Sequence, residues 1–93
     1  MNGKIMKKMV GKITEQECDE IQKLFERKNG LNELAKIVKN DDALYEKLVV
    51  DMGVTSIKFQ KWWNDMAAKY QWESRENSNW EVNFDTCEIY LVY

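Results

Sequence analysis

The chain has 93 residues, 44% of them hydrophobic and 32% charged, with a net charge of −2 and no proline or histidine. That length makes one domain with a modest core, the composition is globular rather than disordered, and no run is long enough to span a membrane. Absence of histidine removes the commonest acid–base group and metal ligand.

The charge is unevenly placed. Residues 1–13 hold four lysines and no acid, whereas residues 73–93 hold Glu73, Glu76, Glu81, Asp85 and Glu88 against Arg75 alone. Two readings are open: the basic start packs beside the acidic end, or one end meets a charged partner. The lysines precede no apolar segment with a small-residue cleavage site, so a cytoplasmic location is expected, with Cys18 and Cys87 as reduced thiols.

In chain order, residues 8–13 read as a short strand. Thr14-Glu-Gln-Glu17 is a capping box, in which the Thr14 hydroxyl accepts from the Glu17 amide and the Glu17 carboxylate accepts from the Thr14 amide. The helix it opens turns Cys18, Ile21, Leu24 and Phe25 inward, and Asn29-Gly30 is expected to end it. A second helix is expected over Leu31, Leu34, Ile37 and Val38, forming with the first a hairpin or a helix-turn-helix. Asn40-Asp41-Asp42 then supplies its end and the cap of the next, longer helix.

Leu44 to Tyr70 is the spine. On a wheel of 100° per residue, Leu44, Tyr45, Leu48, Val49, Met52, Phe59, Trp62, Trp63, Met66, Ala67 and Tyr70 share one broad face. Lys47, Asp51, Lys58, Asp65 and Lys69 line a strip beside it, with Lys47–Asp51 and Asp65–Lys69 at i,i+4. Gly53 offers a stop, with Thr55 or Ser56 as the next cap, but the stripe keeps its phase across the glycine, and one long helix is expected. A second stripe, Ala43, Val50, Val54, Ile57 and Ala68, runs along the opposite side. The helical pair is expected to cover the broad face and the C-terminal strands the second stripe.

Residues 73–79 form a polar loop. Trp80, Val82 and Phe84 then alternate with Glu81, Asn83 and Asp85, and Ile89, Leu91 and Tyr93 alternate with Glu88, Tyr90 and Val92. With a turn beginning at Asp85-Thr86, these are the strands of a β-hairpin. The fold class is therefore α+β: a helical hairpin, one long central helix and a C-terminal β-hairpin, joined by the first strand into a small antiparallel sheet.

Catalytic chemistry finds little support. The four glycines stand apart and form no phosphate loop. A cysteine nucleophile would have no histidine partner, and Cys18 falls on an inward helix face. Asp41-Asp42 is better read as a cap than as half of a metal site. The chain is expected to be no enzyme, with no cofactor and no metal. Tyr45, Trp63 and Tyr70, together with Met66, lie mid-stripe with the core. Trp62 lies nearer the stripe edge, Trp72 beyond the helix end, and Tyr90 away from Ile89 and Leu91, which makes these three the candidate contacts.

The order strand, helices, hairpin also suits a winged helix, an alternative in which the chain binds DNA. An acidic wing and a last helix carrying Asp65 among its lysines oppose that reading, so no nucleic acid is expected.

The run Phe59-Gln-Lys-Trp-Trp-Asn-Asp-Met66, with Lys69-Tyr-Gln-Trp72, Asn79-Trp80, Asp85-Thr-Cys-Glu-Ile-Tyr-Leu91 and Leu24-Phe-Glu-Arg-Lys-Asn-Gly-Leu31, resembles the CXXX repeat peptide modification system proteins over about residues 10–92. That family is associated with radical-SAM maturases and a precursor peptide with spaced cysteines, and it brings no catalytic residues to carry over. The resemblance implies a non-catalytic accessory protein that binds a precursor peptide or its modifying enzyme. An open strand edge would take an extended peptide by main-chain pairing. The contact residues expected for it are Trp62, Trp72, Trp80, Glu81, Glu88 and Tyr90, with the acidic 73–88 region favouring a basic leader. A homodimer through the same edges is the plainer alternative.

Overall fold

The computed structural model describes residues 6–93; the first five residues, among them Lys4 of the basic start, lie outside the described residues. Five elements succeed one another: β1 (Lys7–Lys12), α1 (Glu15–Val38), α2 (Asp42–Tyr70), β2 (Asn79–Asn83) and β3 (Glu88–Val92). The fold is α+β, and the expected β-hairpin and joining first strand are both present.

The capping box is made in full. Glu17 N donates to the Thr14 hydroxyl at 3.1 Å, and Thr14 N donates to the Glu17 carboxylate at 2.9 Å. The helix it starts does not stop at Asn29-Gly30 but runs on for 24 residues, so the two expected short helices are one. The reason lies in spacing. Ile21, Leu24, Lys28, Leu31, Ala35 and Val38 recur at alternating steps of three and four, and all are buried or half-buried. That seam keeps its phase through Gly30, and breaking it would forfeit the burial of Leu31. A mid-helix glycine costs about 1 kcal/mol relative to alanine, less than the loss of a buried leucine.

α2 carries the matching seam, Leu48, Met52, Thr55, Phe59, Trp62 and Met66, and runs unbroken through Gly53. Asp41 caps it by accepting from Leu44 N at 3.1 Å, and Gln71 ends it in the left-handed conformation at φ 53°. Only Lys39, Asn40 and Asp41 join the helices, so they pack antiparallel, seam to seam. The expected i,i+4 pairs on the charge strip give way to others. Asp51 faces Arg27 of α1 at 3.8 Å, Asp65 pairs with Lys61 at 2.8 Å, and Lys69 reaches the buried Glu17.

Gly30 lies on the outer side of α1, where an added Cβ meets nothing within 4 Å. Gly30→Ala is therefore expected to raise the unfolding free energy by about 0.5–1 kcal/mol in urea denaturation. A decrease would show that something packs on this turn.

The sheet order is β1-β3-β2, antiparallel throughout, with β3 central. β1 bulges between Met9 and Gly11, so Gly11 rather than Val10 pairs with Ile89. Ile89 and Leu91 are wholly buried on β3. One core joins the sheet to the near ends of both helices through Ile13, Cys18, Ile21, Trp62, Trp72 and Ile89, with Phe59, Trp63, Met66, Tyr70, Trp80 and Val82 packed on it.

The sheet thus covers part of the broad face of α2, not the second stripe. Val50, Val54 and Ile57 stay 65%, 46% and 70% exposed, which corrects the expectation that the hairpin sheathes them. The hairpin lies on the broad-face side because Trp80 and Val82 pack against Phe59 and Trp63 of that face. Beyond the sheet, the far ends of α1 and α2 project as an arm in which Leu31 and Leu48 alone are buried apolar groups. The radius of gyration is 15.8 Å, against about 12 Å for a compact chain of this length.

The unequal charge distribution resolves within the chain. Lys7 bridges to Glu81 at 3.1 Å and Lys8 to Glu73 at 2.7 Å, so the basic start does pack beside the acidic end. Among the described residues no helix is long and apolar enough to cross a membrane.

Candidate peptide-binding edge

A three-stranded sheet has two outer edges, and these two differ. β1 carries Lys7, Lys8 and Lys12 and a bulge, features that discourage strand addition. β2 pairs with β3 alone among the described residues, and carries neither lysine nor bulge. Along β2 the side chains alternate: Trp80 and Val82 are half-buried, while Asn79, Glu81 and Asn83 face out.

Beside this edge, between the sheet and the helices, lies a groove of about 320 Å³. Phe25, Phe59, Trp63, Trp80, Val82 and Phe84 line it, and its walls are aromatic contacts. Phe25 and Phe84 have ring centroids 5.4 Å apart, Trp63 stacks on Trp80 at 6.5 Å and 13°, and Phe59 meets Trp63 edge-on at 6.5 Å. The Lys28 ammonium sits 4.7 Å from the Phe59 ring centre, a cation–π contact. Trp80 is held by a hydrogen bond from its indole N–H to the Glu73 carbonyl at 2.9 Å. The wall is thus pre-formed: Phe59 and Trp63 sit one turn apart on α2, and Phe84 opens the hairpin turn.

Each expected contact residue now has a place. Trp80 lines the groove, and Glu81 borders it from the outward side of β2, paired with Lys7. Trp62 and Trp72 are buried, and this corrects the expectation that they offer a face to a partner. Trp62 lies on the α2 seam. Trp72 folds back under β1, its ring stacked on Tyr70 at 5.5 Å and 4°. Tyr90 does point away from Ile89 and Leu91, half-buried on the other face of the sheet, and donates to Glu88 at 2.9 Å. Glu88 also accepts from the Thr86 hydroxyl, and these hydrogen bonds hold its carboxyl below the usual range. Glu88 and Tyr90 therefore form a pair of their own, apart from the groove. Glu73 and Glu81 are already matched by lysines, which reduces the attraction expected for a basic leader. Sequence reasoning missed Phe25 and Phe59 as groove residues, since each reads as core on its own helix.

The remaining titratable clusters are structural. Burial pushes the Glu17 carboxyl up, but hydrogen bonds from Lys69, Tyr70 and Thr14 outweigh it and hold it at about 2. So weak a base does not take up protons near neutrality. Among the described residues no group of three or more metal-ligating side chains converges.

Cys18 is almost wholly buried, and burial together with the neighbouring Cys87 pushes its thiol up to about 12. Its S–H faces the Phe84 carbonyl at 3.6 Å. Thiol titration of the folded protein is expected to register Cys87 first, with Cys18 appearing only on denaturation. Equal rapid reaction of both would contradict this packing.

No family model, curated protein or solved structure matches the chain. Among the described residues the order is β-α-α-β-β, with two helices where a winged helix has three.

Proposed function

We propose that the protein is a non-catalytic binding module that takes an extended peptide along β2, serving as the accessory protein of a peptide-modifying system. In this role it presents a precursor peptide to its modifying enzyme. One observation carries the reading: the strand edge left open runs beside an aromatic groove. Strand addition needs both parts, main-chain partners for affinity and a pocket for alternate side chains for specificity. The resemblance to the CXXX repeat proteins supplies the biological setting and nothing of the geometry.

A labelled precursor peptide with spaced cysteines tests this by fluorescence anisotropy. Saturable binding is expected, weakened about tenfold or more by Phe25→Ser, a site chosen because Phe25 is 40% exposed and stands outside the central core. Methylating alternate peptide nitrogens should weaken binding comparably, because it removes main-chain donors while sparing the side chains. Binding indifferent to methylation would sink strand addition. Steeply salt-dependent duplex binding without peptide binding would replace it with nucleic acid.

A further inference from the structure

α2 carries a second surface that its own chain leaves bare. Leu48, Thr55 and Trp62 face α1 and are buried, while Val50, Gly53, Val54 and Ile57 lie on the side turned away. Three exposed β-branched residues and a glycine in the middle of a 29-residue helix are costly for solvent-facing positions. Val and Ile are weaker helix formers than Ala, and glycine forfeits about 1 kcal/mol. Nothing within the chain requires Gly53, since an added Cβ would meet no atom within 4 Å. Glycine in a helix is explained when a second backbone comes close.

We propose that this stripe is the contact between two copies of the chain, with the α2 helices packed antiparallel about a two-fold axis between Gly53 and Val54. The charges decide the orientation. Glu46 and Lys61 lie on the same side of α2 as the stripe, near its two ends, and both are exposed. About this axis, Val50 meets Ile57 of the second copy and Glu46 meets its Lys61, and each contact occurs twice. A parallel pair would instead set Glu46 on Glu46 and Lys61 on Lys61, like against like. Glu46 makes no ion pair among the described residues, whereas Lys61 reaches Asp65 at 2.8 Å and would be shared. Gly53 at the axis lets the helices approach to the short end of the usual separation of about 8–10 Å.

The area is sufficient for a reversible dimer. Two such stripes, with the stems of Lys47, Lys58 and Lys61 folded over their margins, remove on the order of 1,000–1,200 Å² from water, the lower bound of specific interfaces. The stripe lies on the far side of α2 from α1, and the groove beside β2 stays open.

Sedimentation velocity over a range of protein concentrations tests the proposal. A monomer–dimer equilibrium in the micromolar range is expected, and Ile57→Glu should leave only monomer. Circular dichroism should be unchanged by that substitution, because Ile57 is 70% exposed. Gly53→Ala separates this contact from ordinary helix energetics. It should stabilise the monomer, as at Gly30, yet raise the dimer dissociation constant about tenfold. Glu46→Lys should weaken association, and adding Lys61→Glu should restore it. A single monomeric species at every concentration would overturn the proposal. So would a Gly53→Ala variant that associates as well as the parent, or charge reversals that merely add. Peptide binding should survive Ile57→Glu, so failure here and failure of the β2 reading are told apart.

Discussion

Glu17→Gln is expected to lower the unfolding free energy by about 2 kcal/mol near neutral pH, and the deficit should vanish as pH approaches 2. Glu17 is 7% exposed and joins two distant parts of the chain: the α1 cap at Thr14, and the last turn of α2 at Lys69 and Tyr70. Its carboxyl titrates at about 2 rather than 4.5. A depressed folded-state value means that the stability it confers is complete above 4.5 and lost as pH falls through 2. Taken at face value the shift is worth about 3 kcal/mol, and water around the half-exposed Lys69 reduces that to about 2. Glutamine keeps the shape and removes the charge, whereas Glu17→Ala also loses half of the capping box and should cost about 1 kcal/mol more. Urea denaturation across the acid range measures both. A pH-independent deficit would show that packing rather than charge is at work.

Gly11→Ala should cost about 2–3 kcal/mol, in the upper range for overpacking. An added Cβ would lie 2.6 Å from the Trp72 indole nitrogen and 2.7 Å from its Cδ1. Relief requires Trp72 to move, but that ring is buried between Gly11, Tyr70 and Trp80. The alternative, moving β1, would strain its pairing with β3 beside the bulge. Trp72→Phe shortens the offending edge, so the double variant Gly11→Ala/Trp72→Phe should lose less than the two single losses together. Thermal denaturation of the four proteins gives the coupling, and strict additivity would refute the contact. The family resemblance holds no hint of this pair, because residues 11 and 72 are far apart in sequence.

Much of the local structure is legible in the sequence, for reasons that can be stated. The Thr14–Glu17 box needs only residues three apart, and it forms as the motif predicts. The alternation of Trp80, Val82, Ile89 and Leu91 needs only the strand period, and it places all four on the core side. The apolar stripe of α1 holds its phase across Gly30 just as that of α2 does across Gly53, a signal that the Asn29-Gly30 pair, so typical of a helix end, obscures. Which surface covers which is not legible. Periodicity gives a helix its faces but is silent on the face a neighbour will choose, and so the second stripe of α2 suits a hairpin on paper yet stays bare. The groove is hidden for a related reason. Phe25, Phe59 and Phe84 come from three elements and share no spacing, and each alone is an ordinary core residue.

By itself the sequence determined where most helix and strand ends fall, which sides of them are apolar, and that opposite charges sit at the two ends of the chain. Each of these comes from interactions spanning a few residues or from simple counting. Only the tertiary structure decided that β3 lies between β1 and β2, that Trp62 and Trp72 belong to the core, and that one stripe of α2 is left uncovered by the chain's own elements. Those outcomes depend on distant surfaces competing for the same partner, and the sheet went to the face where Phe59 and Trp63 could pack against Trp80 and Val82.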